Sequence, residues 1–171
     1  MTNQEDLKDK VRSEIDRHGQ ELIEIAKTIQ DNAETGFQEV KTSRLVAEKF
    51  LEFGVPYQGD IAITGLKGMI EGSMPGPTVA VMGELDSLKV LGHPHAAPET
   101  NAAHACGHHC QIAMMLGVGM GLKASGVLDS LAGRIALIAV PAEEYIEVEY
   151  RDELRRQGKI EFLGGKPEFV R

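Results

Sequence analysis

The chain has 171 residues, 42% of them hydrophobic, and a formal net charge of −8. That length fits one domain with a sizeable core, and the acidic balance disfavours a general role on nucleic acid or anionic membrane, which needs clustered Lys and Arg. No run approaches the ~20 apolar residues of a membrane helix, the opening MTNQEDLKDK is too polar for a secretory signal, and two cysteines four apart make a poor disulfide framework, so a reduced, cytoplasmic protein is expected.

In chain order, Leu7, Val11, Ile15, Leu22, Ile25 and Ile29 recur at helical spacing. They predict one long amphipathic helix from about Gln4 to Asn32, with His18 at the edge of its stripe. AETGFQEV breaks the pattern at Gly36. A second helix is expected from Glu39 to Phe53, ended by Gly54 in a left-handed cap. VPYQGDI, GLKGMIEG and TVAVMGEL then read as strands, with GSMPGP as a hairpin-like connection between the last two. TVAVM is apolar on both parities, as in a strand covered on both faces. Residues 87–105 form a long loop containing Pro, His and Ala, and loops of that length in compact domains are usually functional. A helix should follow from Gly107 to Ser125, with Met114, Met115 and Met120 in the core. GRIALIAV is the clearest strand, stopped by Pro141. YRDELRRQGKI is a short charged helix closed at Gly158, and PEFVR resembles the first turn of another, as if the chain were truncated there. The implied fold class is α/β, a mixed sheet flanked by helices.

Three polar stretches each follow buried apolar backbone: GELDSL at 83–88, HACGHHC at 104–110 and PAEE at 141–144. Ligand sites in such sheets gather at the carboxyl ends of strands. Glu84 and Asp86, two apart, face the same side of an extended chain. Residues 102–111 hold three of the six histidines and both cysteines. A thiolate at Cys106 and a neutral imidazole at His108 suit a borderline-soft ion such as zinc. In AEE, adjacent carboxylates point different ways, so one can ligate a metal while its neighbour takes a proton from water. Cys110, one helical turn beyond Cys106, is expected to pack with the Met-rich helix face and not to ligate. Two rivals remain open: a structural or redox zinc module built from CGHHC with Cys110 as a ligand, and a non-catalytic truncated product with weak metal binding.

The order GELDSL, HACGHH, PAEE resembles the M20 metallopeptidase family, specifically its amidohydrolase branch, similar to aminobenzoyl-glutamate hydrolases. TGFQEVKTSRLVAEKFLEFGV and KIEFLGGKPEFVR extend the likeness over residues 1–171, as the amino-terminal part of a zinc-peptidase-like catalytic domain without its lid and dimerisation domain. The resemblance implies Cys106, His108 and Glu144 as metal ligands, Glu143 as general acid/base and Asp86 as a ligand-orienting residue at the catalytic site. It implies divalent zinc, manganese or cobalt, two ions in the complete enzyme, and hydrolysis of amide bonds in N-acyl amino acids, small peptides or related conjugates. The partner is then a small-molecule amide or peptide substrate, with no nucleic acid and no membrane, and a homodimer in the complete form. His109 stands where the family often has Asp or Asn, and Lys89 and Val90 where proline is common. No histidine follows residue 109, so downstream ligands are missing and no appreciable hydrolysis is expected from the 171-residue chain alone.

Overall fold

The structure, a computed structural model, describes residues 3–171. Helices α1 (Gln4–Arg17), α2 (Gly19–Asp31) and α3 (Val40–Glu52) lead into strands β1 (Tyr57–Ile61), β2 (Gly65–Glu71) and β3 (Met74–Glu84). The short strands β4 (Leu88–Lys89) and β5 (Ala102–Ala103) pair within the long loop. Helix α4 (His108–Ala124), strand β6 (Ala132–Val140) and helices α5 (Val148–Arg156) and α6 (Gly165–Val170) complete the chain. The main sheet has the order β1-β2-β6-β3, with β6 antiparallel to β2 and parallel to β3. It is a mixed α/β fold.

Register decides which face is covered. Ile70, Ile135 and Val79 form one row across the sheet, and Gly68, Leu137 and Val81 the next. These rows meet α2, α3 and α4 in a core that includes Ile29, Val46, Phe50, Ile112 and Leu116. The alternate row, Lys67, Ile138 and Met82, faces the other way. As the edge strand, β3 keeps Val79 59% and Met82 47% exposed. The two-sided apolar signal of TVAVM therefore meets full cover on neither side among the described residues.

Three expectations are corrected. The first helix is two, broken at His18, whose backbone (φ −97°, ψ 9°) ends α1 and starts α2. Gly19, a weak helix former, follows the break. The break lets Leu22 and Ile15 approach different turns of α4, at Gly117 and Gly121. GSMPGP is not a hairpin connection: β3 already begins at Met74, and β2 and β3 lie on opposite sides of β6. The register shift between Met74 and Thr78 falls where Pro75 and Pro77 have no N–H to donate. Finally, Met115 and Met120 are core, but Met114 is 64% exposed.

Candidate metal centre

Parallel pairing of β3 with β6, in register to Glu84 beside Val140, brings both carboxyl ends to the same edge of the sheet. GELDSL leaves one strand there and PAEE the other. Helix α4 starts at the same place. Gly107 turns into it with φ +99°, a left-handed conformation that favours glycine. This turn sets Cys106 and His108 before the two strand ends.

His108 is buried. Its Nδ1–H donates to the backbone carbonyl of Asp86 at 2.8 Å, which directs Nε2 inward. Nε2 lies 3.0 Å from Glu84 Oε2 and 3.8 Å from both Glu143 Oε2 and Glu144 Oε1. Burial alone would lower the imidazole pKa. The hydrogen bonds with Asp86 and the charges of Asp86 and Glu84 outweigh it and raise the value to about 9. Cys106 is exposed, with its thiol against Glu144. The Glu144 hydrogen bond, burial, and the charges of Glu144, Glu143 and Glu84 push the thiol pKa up. Asp86 is fully buried; Oδ2 accepts the Glu144 N–H at 2.9 Å, and Oδ1 lies 3.4 Å from His108 Nδ1.

The donor atoms of Cys106, His108 and Glu144 lie within 4.8 Å of one another, and so do those of Glu84, His108 and Glu143. Tetrahedral metal–ligand bonds of roughly 2.0–2.3 Å place two donors of one ion about 3.3–3.8 Å apart, so side-chain adjustments on the order of an ångström close either set. The chemistry also fits: a soft thiolate, an imidazole and hard carboxylates beside excess negative charge. His108 belongs to both groups, and one Nε2 lone pair serves one ion. These residues by themselves therefore define one centre.

The elements bearing the site are braced from behind. Glu39 Oε1 accepts the Ala142 N–H at 2.7 Å and Oε2 accepts from the Thr64 hydroxyl at 2.6 Å. The buried Arg151 donates to the carbonyls of Leu163 at 2.9 Å, Ala142 at 3.3 Å and Glu144. Its guanidinium packs on Phe37 and Tyr145.

All five residues singled out in the sequence meet here, Asp86 as a brace and not as a donor in either group. Glu84, noted in the sequence beside Asp86 but given no role there, joins one donor group. Its two-residue spacing from Asp86 is a legible signal. Lys166, whose Nζ lies 2.5 Å from Glu84 Oε1 and 3.1 Å from Glu143 Oε1, carries none, since it arrives from the first turn of α6. Cys110 lies outside both donor groups, in the first turn of α4. It is exposed beside Leu22, Ile23 and Met114 rather than packed in the core. The His104 ring lies tilted against His109, ring centroids 5.3 Å apart, and burial lowers its pKa to about 4.

No family model matches the chain. Thermostable carboxypeptidase 2 of Saccharolobus solfataricus is 33% identical over 143 residues, covering 81% of this chain and 36% of its own length. The IAA-amino acid hydrolase ILR1-like 4 of Arabidopsis thaliana is 33% identical over 126 residues, covering 72% and 28%. A Bacillus subtilis crystal structure described as a dinuclear metal-binding peptidase of the M20 family superposes with TM-score 0.65 at 26% identity, over 82% of this chain and 39% of that one. A Staphylococcus aureus structure at 24% identity shares the fold over 95% of this chain, with TM-score 0.76. The chain spans about a third of the length of the curated relatives it matches.

Proposed function

We propose, on the premise that this chain is part of an M20-family peptidase domain, that it is the amino-terminal portion of a catalytic domain for metal-dependent amide hydrolysis. The substrates are N-acyl amino acids, small peptides or related conjugates. The observation that carries this is the approach of Cys106, His108 and Glu144 donor atoms beside a second carboxylate, Glu143, at the end of β6.

Cys106, His108 and Glu144 would hold a divalent ion, zinc, manganese or cobalt. When bound, such an ion supplies a Lewis acid that lowers the pKa of water towards neutrality and polarises a carbonyl. Asp86 fixes the His108 ring through its backbone carbonyl and fixes Glu144 through that residue's N–H. Glu143 is then free to take a proton from the attacking water and return it to the leaving nitrogen. Lys166 restrains the Glu143 carboxylate on the opposite side. A second ion needs donors beyond this chain, because His108 is shared. Homodimerisation and a lid likewise belong to the complete protein, which we place in the cytoplasm. No part is assigned to nucleic acid or membrane, and among the described residues no helix is long and apolar enough to cross a bilayer.

The test uses a full-length relative carrying this segment, assayed on N-acyl amino acids with added Zn²⁺, Mn²⁺ or Co²⁺. Glu143→Gln should cut turnover at least ~10²-fold with metal content unchanged. Unchanged turnover in that variant would remove Glu143 from the chemistry.

A further inference from the structure

A cavity of about 360 Å³ opens beside Glu143, walled by Tyr145, Phe162, Leu163 and Pro167, with Lys166 at its rim. We propose that it takes the acyl half of the substrate, as an uncharged apolar group up to the size of an aromatic ring; this rests on the hydrolytic reading of the neighbouring centre.

Position comes first. Glu143 belongs both to the cavity wall and to one of the donor groups, so a group in the cavity is attached to a bond that reaches the centre. Size agrees, since pockets for small ligands begin at about 300 Å³. The lining is carbon-rich, and its two aromatic rings are left in the open, Tyr145 at 59% and Phe162 at 43% exposure. Both are held in place. Arg151 packs against the Tyr145 ring and binds the Leu163 carbonyl. Glu168 accepts the backbone N–H groups of Glu161 and Phe162, each at 2.9 Å. A preformed wall loses little entropy on binding.

Charge decides which half of the substrate enters. The amino-acid half of an N-acyl amino acid carries a carboxylate. Glu143 lines the cavity, and Lys166, the cation in its lining, is already paired with Glu84 and Glu143. A further carboxylate is repelled there. The acyl half has no charge to repel.

The experiment measures binding of N-benzoylglycine, N-acetylglycine and N-acetylphenylalanine to the whole 171-residue chain by isothermal titration. N-benzoylglycine should bind at least about tenfold more tightly than either of the others, from burial of the ring. Phe162→Ala should reduce that preference below about threefold. Tyr145→Leu serves if the first variant fails to fold. No binding, no benzoyl preference, a preference for N-acetylphenylalanine, or a preference that survives both substitutions overturns the assignment. Binding needs no turnover, so the two ideas fail separately. A benzoyl preference in this chain, beside a full-length relative that shows no metal-dependent turnover, keeps the pocket and removes the reaction; metal-dependent turnover in the relative without an acyl preference here does the reverse.

Discussion

His108 and Asp86 are joined through the backbone: the imidazole Nδ1–H donates to the Asp86 carbonyl at 2.8 Å. The Asp86 side chain meanwhile accepts the N–H of Glu144 at 2.9 Å. One residue at the end of β3 therefore sets the imidazole tautomer and the path of the chain leaving β6. The brace is buried, so its hydrogen bonds are made without competition from water.

Asp86→Ala keeps the backbone contact to His108 but leaves the Glu144 N–H without its acceptor. The expected cost is about 1–3 kcal/mol of stability and roughly 10–100-fold in metal affinity. Urea unfolding and competitive metal titration read these two effects. Asp86→Asn should recover part of both, because an amide oxygen still accepts that N–H. Unchanged metal affinity in Asp86→Ala would rule out the bracing role.

Gly36 lies where Arg151 and Ala142 close over the α2–α3 connection. A Cβ there would overlap the Arg151 guanidinium and sit 2.8 Å from Ala142 Cα. Gly36→Ala should destabilise the fold by about 1–3 kcal/mol through overpacking. Loosened Arg151 contacts should appear as faster amide exchange in 142–145. A variant as stable as the parent, with unchanged exchange, would contradict this packing.

Burial pushes the Glu39 carboxyl up to about 7, against the hydrogen bonds from Thr64 and Ala142 that lower it. Between about 4.5 and 7 the folded chain keeps a proton that the unfolded chain has released. Stability from this group therefore falls as pH rises through that window and levels off above it. The fall amounts to at most about 3 kcal/mol. Glu39→Gln can still accept from Ala142 and can donate to the Thr64 hydroxyl, but has no proton to lose. The difference in unfolding midpoint between parent and variant, followed from pH 5 to 8, should shift in favour of the variant up to about pH 7 and then level off. A constant difference would place the Glu39 pKa outside that range.

What was legible in the sequence was local. Cys106, Gly107 and His108 sit in one turn, and the left-handed Gly107 is what aims the pair. PAEE directly follows the strand that presents it. What was hidden depends on approach through space. The apolar stripe of residues 7–29 runs through His18 without interruption, so its break shows only against the two contact points on α4. Nothing in GSMPGP reveals that β6, arriving some fifty residues later, will separate β2 from β3. Lys166 reaches Glu84 across an even longer gap, and no spacing rule links them.

The most direct test of the centre is the thiolate-to-cobalt charge-transfer band of the Co²⁺-loaded chain, which reports sulfur ligation. The parent protein should show the band, Cys106→Ala should lose it, and Cys110→Ala should keep it, because Cys110 lies outside both donor groups. A band that survives Cys106→Ala, or that disappears with Cys110→Ala, would contradict a centre built on Cys106, His108 and Glu144.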